Sequence, residues 1–151
     1  MSIKIKLLHP KAKIPTKESR GAVGFDLYAC LKNPVNLHVG SRVLIPCGFA
    51  LNLMEKKGLD PFEYEAQIRP RSGLAYKDGV TVLNTPGTID TDYRGEVKVL
   101  LINHGDKGYK IQHGDRIAQM VIQLVHKVSL ELVDELDDTE RGEGGFGSTG
   151  V

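Results

Sequence analysis

The sequence predicts an all-β domain, a jelly-roll or β-clip type barrel of short strands with one short helix and a glycine-rich C-terminal tail. Three observations lead there. Short runs rich in aliphatic and β-branched residues recur along the chain: Ile3 to Leu8, Gly24 to Ala29, Val43 to Ile45, Phe49 to Leu53, Tyr64 to Ile68, Val80 to Leu83, Glu96 to Ile102, Arg116 to Val125 and Ser129 to Val133. Runs of that length between turn residues read as strands. Seventeen glycines and seven prolines fall largely between them, as at Asn33-Pro34, Val39-Gly40, Asp60-Pro61 and His113-Gly114-Asp115. Finally, no window sustains an apolar i, i+3, i+4, i+7 pattern over three turns. The nearest approach is Ser72 to Asp78, room for one or two helical turns ending before Gly79.

In chain order, Met1 to Leu8 alternates apolar and basic residues as an edge strand does, and lacks the continuous apolar core of a signal peptide. Gly24 to Ala29 sets one carboxylate, Asp26, between large apolar neighbours; an acid in a β-run usually lies on the solvent face. Arg69-Pro70-Arg71-Ser72-Gly73-Leu74-Ala75 leaves a strand and enters the helical turn. Ser72 at that entry fits a helix cap, and the free N–H groups there make a seat for an anion. Read alone, the same residues fit equally well a plain cap with Arg71 in a structural ion pair.

Val80 to Ile102 has β-type ends and a polar middle, and reads as a hairpin. Thr85-Pro86-Gly87-Thr88 fits a type II turn, proline setting φ at the second position and glycine accepting positive φ at the third. Asp90, Asp92, Tyr93 and Arg94 then follow within five residues, more ionisable chemistry than chain reversal requires. Further on, Gln119 interrupts the strand-like run Arg116 to Ile122. After Val133 the chain turns acidic and then, from Arg141, half glycine, a composition that predicts a mobile tail. The division is therefore a β domain over 1–133 and a flap over 134–151.

Composition narrows the function classes. The 151 residues are one domain's worth, with 40% apolar and 26% charged residues. A net charge of +1 excludes a general nucleic-acid binder, which would show a basic surplus. An anionic ligand must then be met by a few placed groups. No apolar run approaches the roughly 20 residues of a membrane span. Cys30 and Cys47 are too few for a disulfide framework or zinc site; they read as reduced, buried thiols, which suits a cytoplasmic protein. The five histidines form no HExxH pattern.

The tail holds two decoys. Gly142-x-Gly144-x-x-Gly147 matches a dinucleotide fingerprint, and Gly142 to Thr149 nearly matches a Walker A loop, with Ser148 in place of the lysine. Both motifs need a helix after the glycines, and neither a helix-forming run nor a crossover unit accompanies these. What the tail does offer is Arg141, Phe146, Ser148 and Thr149 among flexible amides: a cation, a ring and two hydroxyls that would suit a flap over a phosphorylated aromatic ligand.

Five segments, in order, resemble the five motifs of the trimeric deoxyuridine triphosphatases: Ala22 to Leu27, Pro70 to Ala75, Gly87 to Val97, Gly114 to Gln119 and Arg141 to Gly150. The resemblance spans positions 22 to 150. It implies a β jelly roll, a homotrimer with three shared sites, and Mg²⁺-dependent hydrolysis of dUTP to dUMP and diphosphate by water attack at the α-phosphorus. That reaction keeps uracil out of DNA and supplies dUMP for thymidylate synthesis. By position, the resemblance makes Asp90 the base that orients and deprotonates water, and sets Tyr93 beneath the deoxyribose, where an added 2′-hydroxyl would collide. Asn84 and neighbouring hairpin groups, Thr88 and Ile89 among them, would meet uracil. Arg71, Ser72, Gly73 and Gln119 would bind the phosphates, and Asp26 would hold water on a metal kept mainly by the triphosphate. From the tail, Arg141, Gly147 and Ser148 would grip the terminal phosphates while Phe146 stacks on the base.

Two alternatives are weighed. A dCTP deaminase shares the fold and resembles the chain around Pro86-Gly87 and Ile89-Asp90, but those relatives carry a catalytic glutamate ten residues after that aspartate, where this chain has Leu100. A non-catalytic nucleotide-binding regulatory trimer would be favoured by loss of Asp90 or of the tail, and both are present.

Overall fold

The computed structural model describes residues 2–54 and 62–148. The punctuation at Asp60-Pro61 and the ends of the last motif, Thr149 and Gly150, lie outside them. Among the described residues there are eleven strands and one helix: β1 (Lys4–Leu7), β2 (Phe25–Tyr28), β3 (Val35–Leu37), β4 (Arg42–Pro46), β5 (Phe49–Asn52), β6 (Phe62–Arg69), α1 (Ser72–Asp78), β7 (Val80–Val82), β8 (Gly87–Ile89), β9 (Lys98–Asn103), β10 (Tyr109–Ile111) and β11 (Arg116–His126). They form four antiparallel sheets, ordered β1-β5, β3-β10, β2-β11-β6-β8 and β4-β9-β7, rather than one closed barrel.

The strands follow the period-two rule that puts alternate side chains on opposite faces. On β9, Val99, Leu101 and Asn103 point inward while Lys98 and Leu100 do not; on β6, Ala66 and Ile68 are buried. These residues meet Leu27, Ile45, Phe49, Val80, Val82, Val97, Ile117 and Met120 in one core. Each such aliphatic or aromatic side chain contributes about 1.5–3 kcal/mol by leaving water. The one buried amide is fully satisfied. Asn103 Nδ2 donates to Leu37 O (3.0 Å) and Lys107 O (2.9 Å), and Oδ1 accepts from Gly105 N (2.8 Å).

Three expectations change. Ser129–Val133 does not pair: the segment after β11 is extended, and Leu130 and Leu132 are almost wholly exposed. Its alternation lacks a neighbouring strand within this chain to bond to. The strands β3, β8 and β10, three residues each, are too short for a periodic pattern to announce them.

The third change matters for function. Val80–Val82 and Lys98–Asn103 do pair, Val82 opposite Leu101, as a hairpin would. The stretch between them is no simple loop, because Gly87–Ile89 crosses to the other sheet as β8 and pairs with Ala66–Ile68 of β6. The Thr85–Pro86 peptide is cis and Gly87 has no positive φ, so the expected type II turn does not form. Gly87 and Ile89 are buried because they belong to a sheet.

The helix runs over the residues expected, with Leu74 its buried residue. It stops at Gly79, whose left-handed φ of 66° lets its N–H close on Ala75 O at 3.1 Å. Arg71, in an extended conformation, occupies the cap position, and Ser72 is the first helical residue with no side-chain cap bond. The cap expected of Ser72 is therefore not made.

Candidate active site

The register of the largest sheet organises the first half of the site. On β11, Gln119 lies directly opposite Asp26 of β2 on one side and Arg69 of β6 on the other. Residues opposite one another share a face, and period two adds Gln67 and its partner Thr88 to that face. The reverse face carries Leu27, Ala118, Met120, Ala66, Ile68 and Ile89 into the core. A β-bulge between Arg116 and Ala118 lets the strand recover its pairing while sending Arg116 toward Asp26.

Asp26 is 9% exposed although it sits on the non-core face. Two guanidinium groups cover it: Arg71 Nε donates to Oδ1 at 3.0 Å and Arg116 Nη1 to Oδ2 at 3.1 Å. Arg116 also meets Glu18 Oε2 at 2.9 Å. The hydrogen bond it donates to Asp26, followed by the charge of Glu18, pushes the Arg116 guanidinium above its ordinary value. Gln119 Nε2 donates to Pro70 O at 2.9 Å, holding the entry to α1 against β11. Gly24 has to be bare here, since a Cβ on it would run into the Gln119 amide. Around these groups lies a cleft of about 320 Å³ lined by Glu18, Gly24, Asp26, Arg71, Ser72, Gly73 and Gln119. The ion pair that Arg71 was equally expected to form is the one observed, and it sits inside the expected anion site.

The second half belongs to the crossing segment. Asp90 leaves β8 into a turn closed by Tyr93 N donating to Asp90 O at 3.2 Å. A cleft of about 390 Å³ is lined by Leu44, Thr88, Ile89, Asp90, Tyr93, Glu96, Val97 and Lys98. Asp90 is exposed, and its carboxylate makes no hydrogen bond or ion pair among the described residues. Tyr93 Oη donates to Glu96 O at 3.1 Å, which fixes the ring at the mouth of the cleft. Asn84, exposed between β7 and β8, turns its amide nitrogen toward the bare α-carbon of Gly87, 3.1 Å from where a Cβ would stand. Leu100 is half-buried on β9 opposite Leu44, and supplies no carboxylate to this region.

The tail forms a third group. Arg141 Nε donates to Gly144 O (2.8 Å), Gly142 N to Thr139 O (3.0 Å) and Ser148 N to Gly145 O (3.1 Å), all bonds within the segment. Phe146 is fully exposed, with φ of 45°, and Gly147 follows at φ 90°. None of Arg141, Phe146, Gly147 and Ser148 lines either cleft.

The structure therefore gathers Asp26, Arg71, Ser72, Gly73 and Gln119 in one place, and Thr88, Ile89, Asp90 and Tyr93 in another. Asp90 lies level with Glu65 on β6, four residues along from Arg69 and three strands across from Asp26. Strand spacings put these two backbone positions roughly 20 Å apart within one chain. Reading the sequence missed Glu18, Arg116 and Glu96 as site neighbours. Arg116 carried a signal, a cation at the start of the strand bearing Gln119; Glu18 sits in a loop and carried none.

The two thiols are free. Cys47 is buried as expected, whereas Cys30 is only half-buried. Burial, reinforced by the charge of Glu96, pushes the Cys47 thiol up to about 12. Among the described residues no His, Cys, Asp and Glu cluster could hold a metal by itself, and no helix is long and apolar enough to cross a membrane.

Comparison with known proteins bears directly on this arrangement. The sequence model of the dUTPase family matches residues 10–150. The deoxyuridine 5′-triphosphate nucleotidohydrolase of Syntrophotalea carbinolica is 53% identical over 150 residues, covering 99% of this chain and 97% of its own. That of Nautilia profundicola is 53% identical and covers 99% of both. A mutant dUTPase of Staphylococcus bacteriophage 80alpha, solved with dUpNHpp, has the same fold, with a TM-score of 0.83 at 24% identity over 99% of each chain. With more than nine-tenths of its length matched and half its residues shared with named relatives, the chain belongs to the dUTPase family.

Proposed function

We propose that the chain hydrolyses dUTP to dUMP and diphosphate by water attack at the α-phosphorus. The observation that carries this reading is the carboxylate of Asp90, exposed in a cleft beside Tyr93 and unpaired among the described residues. A group so placed accepts a proton from water and directs the oxygen's lone pair at an electrophile. Asp90 orients and deprotonates the water; Tyr93 walls the sugar; Asn84, Thr88 and Ile89 meet the base. Arg71, Ser72, Gly73 and Gln119 receive the phosphates, and cations there offset the charge that develops in phosphoryl transfer.

Mg²⁺ belongs to the same proposal. The donor set fits a cation held mainly by the triphosphate, because Asp26 gives each oxygen to one guanidinium and keeps lone pairs for a bridging water. When bound, the ion would neutralise phosphate charge and hold the chain in line. A mutant dUTPase from phage phi11 of S. aureus has been solved with attention to a structural Mg(II) ion.

The site is completed by further copies of the chain, in a homotrimer. Backbone positions roughly 20 Å apart favour Asp90 and Asp26 of a working site coming from different subunits. Exposed Leu44 and Leu83, on either side of half-buried Leu100, support a surface made to be covered. Residues 134–151 act as a mobile flap on the domain of residues 1–133, bringing Arg141, Phe146, Gly147 and Ser148 to the substrate; their bonds are only to one another and are readily exchanged. Two free thiols suit the reducing cytoplasm. Neither nucleic acid nor membrane is a partner.

Assaying dUTP, dCTP and UTP side by side tests the reaction. In water labelled with ¹⁸O the label should enter dUMP and not diphosphate, and chelating Mg²⁺ should stop turnover. Ammonia released from dCTP would instead reveal a deaminase, against which Leu100 stands.

A further inference from the structure

The ring of Tyr93 is held by the two residues that follow Arg94. Its Oη donates to the main-chain carbonyl of Glu96 at 3.1 Å. Its edge lies against the α-carbon of Gly95 so closely that a Cβ there would overlap Oη and stand 2.5 Å from Cζ and 2.9 Å from Cε2. Gly95 has no positive φ, so its backbone would accept any residue. What excludes a side chain at 95 is the phenol ring.

The segment carrying these contacts is itself pinned to both ends of β5. Glu96 Oε1 accepts from Gly48 N at 3.0 Å, just before that strand, and Lys98 Nζ stands 3.7 Å from Oε2. At the other end, Arg94 Nη2 donates to Asn52 Oδ1 at 3.0 Å, while Nη1 gathers the carbonyls of Thr91 (2.8 Å) and Tyr93 (2.9 Å). The segment that follows Tyr93 is thus tied to both ends of one strand, through Glu96 and Arg94, and Arg94 also holds the carbonyls of Thr91 and Tyr93.

We propose that Gly95 and Glu96 are positioning residues that set ribonucleotide rejection, by fixing the Tyr93 ring where a 2′-hydroxyl would strike it. This rests on the reading of Tyr93 as the wall beneath the sugar. A ring free to tilt would yield to the extra oxygen, and steric discrimination requires a wall that does not yield.

The decisive measurement is the ratio of kcat/KM for dUTP to that for UTP. Gly95→Ala should lower it at least tenfold while the protein keeps its circular dichroism spectrum and Tm within a few degrees, because the clash is relieved by moving an exposed ring. Glu96→Ala should lower it less, in the same direction, and decides the matter if Gly95→Ala does not fold. In a Tyr93→Ala background, Gly95→Ala should change the ratio no further, since it acts through the ring. An unchanged ratio in Gly95→Ala, with Tyr93→Ala discriminating poorly, would overturn the clamp and leave Tyr93 as the wall. Equal losses from Gly95→Ala with and without Tyr93 would also overturn it. Full discrimination by Tyr93→Ala would remove the wall itself.

Discussion

The cleft around Asp26 and the cleft around Asp90 each hold a carboxylate, and the two are treated in opposite ways. Asp26 is nearly buried and receives both Arg71 and Arg116, while Gln119 is tied to Pro70 O. Asp90 is exposed and unpaired among the described residues, and the bonds around it secure the backbone and Tyr93 instead. The difference follows from the tasks proposed. A group that positions a cation's water and steadies a phosphate-binding arginine works by being fixed. A general base works by keeping its lone pair free for a proton, and a guanidinium on it would weaken that basicity.

Four measurements would break or sharpen this contrast. The largest effect belongs to the free carboxylate: Asp90→Asn should lower kcat by about 10²–10⁴, the range of general-base catalysis, and leave binding of a non-hydrolysable dUTP analogue intact. Wild-type turnover by that variant would sink the assignment. Next comes the tail. Removing residues 141–151 should cost on the order of 100-fold in kcat/KM, as loss of charge-stabilising donors does, without lowering Tm; full activity would deny the flap its role.

Smaller and of a different kind is Asp26→Asn. It turns an amide N–H toward one arginine, and should destabilise the fold by about 1–3 kcal/mol in chemical denaturation. It should also weaken the apparent Mg²⁺ dependence about tenfold, as loss of an outer-shell partner does. If stability were untouched, the paired carboxylate would not be the structural element described here.

The smallest effect lies beneath the crossing segment, at Cys47. Its thiol is held at about 12 in the fold against an ordinary 9.0, so from pH 9 upward the unfolded chain loses a proton that the folded chain keeps. Stability from this group is complete below pH 9 and falls as pH rises toward 12, by about 1 kcal/mol at pH 10. The slope of unfolding free energy against pH should be shallower in Cys47→Ala over that range.

Much of this was legible before any coordinates. The apolar runs at Glu96 to Ile102 and Arg116 to Val125 are long enough to declare strands, found at Lys98–Asn103 and Arg116–His126, and the helix ends before Gly79 as expected. Of the candidate site residues, only the four ionisable groups after Pro86 stood out by themselves; Asp26 amid apolar neighbours and Gln119 in a strand gained weight only from the five segments taken in order. What misled was the reading of Thr85–Thr88 as a turn. Proline and glycine there were taken as local punctuation, whereas Gly87 begins a strand opposite Ile68 of β6.

By itself, then, the sequence determined the fold class, the longer strands and the short helix, because side-chain period and turn propensity are properties of a few consecutive residues. Only the tertiary structure decided that β8 crosses between sheets, that two arginines claim Asp26, that Glu18 and Glu96 belong to the site, and that Asp26 and Asp90 of one chain stand far apart. Those facts depend on register between strands distant in sequence, and one residue's slip in that register would turn every one of these side chains to the other face.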